Sequence, residues 1–298
     1  MFNLKVLMRC CCENSAAEED KQVKSAKNSK RESIQAKPHI ATNLQNAEPK
    51  LIEESIVIAA PLPNQEKNIV EYPRLRLKII ESSVIPVGTI LKFNATGLEG
   101  SKRNKNDYKT FIGSQLVDNG EIINDYVIDE ESQGMGKQHL LIKFNPTSSK
   151  YLISDLGDGT GTFIKVGSEL ILKDGFIISF GTSHMKIMSA GSSNLLDKKI
   201  VVKFLEGPKI NEDFCFQPSD DVILIGRMAD CRIRFDDSNL SRYQCNISYH
   251  QEKGWLLKDG NGEKKSTNGT WLYVENEFEI YELLIFKAGK TLFESYLE

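Results

Sequence analysis

Long hydrophobic runs are missing from this chain. No stretch of its 298 residues approaches the about 20 consecutive apolar residues that a helix needs to cross a bilayer. The opening residues also lack the small-residue cleavage site of a secretory leader. An excess of either charge is missing too. Charged residues are 27% of the chain, yet the formal net charge is only −3, and no basic stripe marks the second half, so nucleic acid is not an expected partner. None of the six cysteines forms a Cys-x-x-Cys pair. His39, His139, His184 and His250 stand far apart in sequence, so no zinc site is expected, and no other metal or cofactor. No glycine-rich loop opens a helix; Gly157-Asp158-Gly159-Thr160-Gly161 lies between strand-like segments and reads as a turn. Together these absences lead us to expect an intracellular, cytoplasmic protein that is not an enzyme.

What is present changes abruptly near residue 72. Residues 1–71 are rich in Glu, Lys, Asn, Ser and Ala and poor in aromatics. Such a composition buries too little apolar surface to offset its ordering entropy, and we read the segment as a disordered tail. Cys10-Cys11-Cys12 follows an apolar start and precedes Lys21, Lys24, Lys27, Lys30 and Arg31. Clustered cysteines beside basic residues are the pattern of S-acylation, and they make peripheral membrane association an expectation to test. Residue 2 is Phe, which excludes myristoylation.

Beyond the tail, short segments alternate apolar and polar residues: Leu75-Arg76-Leu77-Lys78-Ile79, Leu140-Leu141-Ile142-Lys143-Phe144, Cys231-Arg232-Ile233-Arg234-Phe235 and Trp255-Leu256-Leu257-Lys258. A period of two, with Gly, Asn, Asp and Ser between segments, predicts an all-β sandwich or barrel. The pattern also occurs twice. Phe111-Ile112-Gly113 matches Leu224-Ile225-Gly226, the segment after Gln138-His139 matches the one after Tyr243-Gln244, and Asp155 with Gly161-Thr162-Phe163 matches Asp259 with Gly269-Thr270-Trp271. The offset is nearly constant, so one fold is used in tandem. We expect copies at 72–190 and 198–298, joined by a linker at 191–197.

Chemistry concentrates in the second copy. Arg227 follows an apolar run, Ser241-Arg242 precedes the strand near Cys245, and Thr267-Asn268-Gly269-Thr270 forms a third loop. Each lies at a strand end, where sandwich loops converge. A guanidinium offers paired donors to a phosphate face, hydroxyls and backbone amides complete a cradle, and an Asn amide holds a peptide main chain. No nucleophile stands beside a base. Taken alone, Arg227 reads as a solvated cation and Ser241 as a turn cap; the three motifs in order point to phosphate.

Gly226-Arg227, Ser241-Arg242 and Ser266-Thr267-Asn268-Gly269-Thr270 resemble the signature of the forkhead-associated (FHA) domain, a β-sandwich of the SMAD/FHA-like kind that recognises phosphothreonine with its loops. The resemblance implies two tandem sandwiches and a non-enzymatic signalling adaptor whose partners carry phosphothreonine. It assigns Arg227, Ser241 and Thr267 to the phosphate, Asn268 to the peptide main chain, and Arg242 to supporting charge. One position departs: the family usually has His three residues after the serine, and here it is Gln244. The first copy keeps His139 but has Ser114, Gly136, Gly159 and Thr160 at the four ligand positions, so it is expected not to bind phosphothreonine. The rival reading is a structural assembly protein whose sandwiches bind partners regardless of phosphorylation.

Overall fold

The computed structural model describes residues 71–129, 134–189 and 198–298. The Cys10-Cys11-Cys12 cluster, most of the expected tail and the expected linker lie outside the described residues. Every regular element described is a β-strand, and there is no helix among them. Alternation fixes the faces. Leu75, Leu77 and Ile79 are fully buried while Arg76 and Lys78 turn outward, and Leu140–Asn145 buries every second side chain in the same way.

Two five-stranded sheets have the same construction. In the first, Phe278–Glu279, Lys150–Asp155, Leu140–Asn145, Lys109–Gly113 and Tyr126–Val127 lie side by side. In the second, the order is Leu170–Ile171, Gly254–Asp259, Cys245–His250, Ile223–Gly226 and Ile233–Arg234. Opposite both runs one 11-stranded sheet. At its centre Thr162–Lys165 pairs antiparallel with Trp271–Tyr273, Ile164 facing Leu272.

The two sandwiches exchange strands across this seam. The first core, around Leu77, Ile142 and Ile153, is completed by Val274, Ile280, Leu284, Phe286, Ala288 and Phe293 from the end of the chain. The second, around Val202, Ile225 and Ile247, is completed by Val166, Leu172, Ile178, Phe180, Met185 and Ile187 from the first repeat. Accordingly Leu75–Glu81 pairs with Thr291–Leu297, and Ser183–Ser189 pairs with Ile200–Glu206. Sequence repeats and packing units therefore do not coincide. Ile177-Ile178-Ser179-Phe180-Gly181, a core-like run of the first repeat, serves the second sandwich and the seam.

The exchange makes Phe293→Ala diagnostic. Phe293 is fully buried and stacks on Phe286 at 4.8 Å. Its truncation should cost about 3–5 kcal/mol. Amide hydrogen exchange should accelerate in residues 140–155 rather than in 245–259; the opposite distribution would mean that the C-terminal strands close on their own repeat.

Candidate functional site

Gly226 sets the first wall of the site. A Cβ there would sit 2.3 Å from the Arg242 carbonyl oxygen, so only glycine lets the strand end slide beneath the 241–242 loop. The Arg227 amide then donates to the Arg242 carbonyl at 3.1 Å, and the Met228 amide does so at 3.3 Å. This bonding leaves the exposed Arg227 side chain beside Ser241. Across the gap, the Thr267 amide donates to Ser241 Oγ at 2.9 Å, and the two hydroxyls are 3.4 Å apart.

The third loop is braced from below. Buried Asp259 accepts from the Ser266 amide at 3.0 Å, the Ser266 hydroxyl at 2.6 Å and the Thr270 hydroxyl at 2.7 Å. Gly269 takes a positive φ of 78°, a conformation that costs other residues energy. Gln244, only 2% exposed, donates its two amide protons to Ser266 Oγ and the Gly269 carbonyl, both at 3.0 Å. In the first repeat His139 makes the equivalent contact, its Nε2 meeting the Gly161 carbonyl at 3.2 Å. Gln244 thus supplies the bracing donor that the histidine supplies elsewhere.

Arg227, Ser241, Arg242 and Thr267 share the lining of one open cavity of about 440 Å³ with Tyr243, Asn261, Lys264 and Lys265. Among the described residues none of the cations Arg227, Arg242, Lys264 and Lys265 forms an ion pair, and the lining holds a single carboxylate, Glu263. Four unneutralised cations with two hydroxyls and a backbone amide make an anion cradle. Asn268, the next residue, lines a different cavity instead. The contributions of Tyr243 and Asn261 carry no motif and were not foreseen. Lys264-Lys265 reads in sequence as an ordinary solvated pair.

The corresponding edge of the first repeat keeps the frame and closes the cradle. The Ser114 and Gln115 amides donate to Gly136 and Lys137 as Arg227 and Met228 do to the second loop. Ser114 Oγ, however, is buried without a partner among the described residues. A Cβ at Gly136 would lie 2.4 Å from the Asp158 backbone, Met135 bridges to Gly159, and the Thr160 hydroxyl turns to the Gly134 carbonyl. Among the described residues no arginine stands at the position of Arg227, which is Ser114 here.

His139 carries a testable charge state. Its Nδ1 accepts the Gly136 amide at 2.9 Å, so Nε2 holds the proton given to Gly161. Burial, outweighing Asp155, pushes its pKa below 6.5. His184 is pushed down to about 4, first by burial and then by Lys287. Above about 6.5 both folded and unfolded states are neutral and stability is full. As pH falls through that value only the unfolded state gains protons, so stability falls. Thermal melts from pH 7 to pH 5 should show this decline, and His139→Gln should flatten it without abolishing it. An unchanged slope would mean that the fold does not hold His139 neutral.

No cluster of His, Cys, Asp and Glu able to hold a metal ion occurs among the described residues. Cys231 and Cys245 are buried free thiols, and Cys215 is exposed. Residues 110–181 and 223–283 each match the family model of the FHA domain. No curated protein matches the chain. FHA domains generally mediate phosphothreonine-dependent protein interactions.

Proposed function

On the premise that this chain is a tandem FHA-domain protein, we propose that it is a non-enzymatic adaptor that binds phosphothreonine segments through its second loop set. Arg227 and the hydroxyls of Ser241 and Thr267 take the phosphate, Arg242 adds charge, and Asn268 holds the peptide main chain. The observation that carries this reading is the unpaired cation set around Ser241 and Thr267 in one cavity. The first loop set acts as scaffold, since its ligand positions are filled by backbone and a serine whose hydroxyl is buried.

Calorimetric titration of the full chain with a degenerate phosphothreonine peptide library, beside its unphosphorylated counterpart, tests the proposal. The expected result is phosphate-dependent binding with one site per chain. Two sites would return the first loop set to service. A structural assembly role is the second reading, favoured by the closed first cradle; there, phosphatase treatment would leave the partner bound.

A further inference from the structure

The cavity lined by Asn268 opens on the seam between the two sandwiches. Thr160, Phe163, His184, Trp271, Lys287 and Lys290 are among the residues that line it, around about 380 Å³. Its floor is aromatic: Lys287 Nζ stands 4.5 Å from the Trp271 ring centre and 5.0 Å from that of Phe163, and Lys165 Nζ lies 5.8 Å from Trp271. Lys287 forms no ion pair or hydrogen bond among the described residues, and burial lowers its pKa. His184 adds no positive charge at neutral pH, since burial and then Lys287 push its pKa down to about 4; its Nε2 meets Glu206 and its Nδ1 meets the Ser179 hydroxyl. Among the described residues the lining contains no Asp or Glu; Glu206 stands behind His184, 3.2 Å from its Nε2. A half-buried ammonium held only by ring faces is a poorly satisfied charge, and an incoming anion is what would satisfy it.

The position of this cavity matters as much as its charge. Thr267 lines the phosphate cradle and Asn268, the next residue, lines the seam cavity. The Asn268 carbonyl is fixed by the Trp271 indole N–H at 3.0 Å, while its side-chain amide has no partner among the described residues. A peptide whose main chain meets that amide runs from one cavity into the other. We propose that the seam cavity is a second anion subsite, taking an acidic or phosphorylated side chain of the same peptide within a few residues of the phosphothreonine. The inference rests on the proposed phosphothreonine reading. The subsite exists only because strand exchange sets the Ile285–Ala288 strand, with Lys287, beside Thr162–Lys165.

The test compares peptides on the full chain: phosphothreonine with neutral neighbours, with Glu scanned along the flanks, and with phosphoserine scanned likewise. An anion at the right distance should tighten binding by about tenfold, the effect of one charge-assisted hydrogen bond. Lys287→Met, which keeps an apolar chain over Trp271, should reduce that gain to about twofold or less and leave the neutral peptide unchanged. Lys290→Ala, on an exposed turn, is the second variant should Lys287→Met fail to fold, and it should cut the gain in the same direction. A gain only with phosphoserine, or only with Glu, identifies the source of the anion. Equal affinity for neutral and acidic peptides, or a gain that survives in both variants, overturns the subsite while leaving the phosphothreonine site standing. Absence of any phosphate-dependent binding overturns both.

Discussion

A protease site placed within residues 191–197 and then cleaved should leave the two halves of the chain bound to each other. They should elute as one species from a sizing column in buffer and separate only in denaturant. The reason is the reciprocal exchange. The N-terminal half gives Val166, Leu172, Ile178, Phe180, Met185 and Ile187 to the second core, and the C-terminal half gives Val274, Ile280, Leu284, Phe286, Ala288 and Phe293 to the first. A fully buried Val, Leu, Ile, Phe or Met is worth roughly 1.5–3 kcal/mol, so the gross apolar term at the joint is on the order of tens of kcal/mol before entropy is counted. Parting the halves also unzips the ladders between Leu75–Glu81 and Thr291–Leu297 and between Ser183–Ser189 and Ile200–Glu206. Two species in native buffer would show that each repeat closes on itself. The same packing means that binding assays belong on the full chain: a fragment of residues 198–298 leaves out strands that the second core contains.

Arg227→Ala should weaken phosphopeptide binding by about ten- to a hundredfold, the loss of a charge-assisted, two-pronged contact. Melting should hardly change, because the side chain is exposed and unpaired among the described residues. Arg227→Lys should recover only part of the loss: an ammonium keeps the charge but not the planar fork. Ser114→Arg in the first repeat should not create a second site, since Gly136 has no room for a hydroxyl-bearing side chain and Asp158 packs against it. Affinity unchanged in Arg227→Ala would remove that residue from the phosphate site.

Much of this fold is legible in the sequence for a simple reason. Alternation in Leu75-Arg76-Leu77-Lys78-Ile79 reports which face is buried, and burial follows it. The loops were legible because Arg227, Ser241 and Thr267 are polar residues at strand ends in a fixed order. The exchange was not legible. Both repeats carry equivalent strands, so the apolar pattern of Ile177–Phe180 is the same whether it joins its own sandwich or the other. Lys287 was hidden likewise: in sequence it is one lysine in a C-terminal hairpin, and only pairing with Thr162–Lys165 brings it over Phe163 and Trp271. Gln244 stood out as a departure, yet its effect depends on which atoms reach Ser266 and Gly269.

The crossing of strands at the seam also dictates an order of events during synthesis. The first core waits for Phe286 and Phe293, which are translated long after Leu75, Leu77 and Ile79. Until then the early strands either hold an apolar face open or close provisionally on Ile177–Phe180, a pairing that must later be undone. Contacts this distant in sequence form slowly and leave the nascent chain exposed to aggregation. Deleting Thr291–Leu297 alone would therefore damage a sandwich whose other strands are made much earlier.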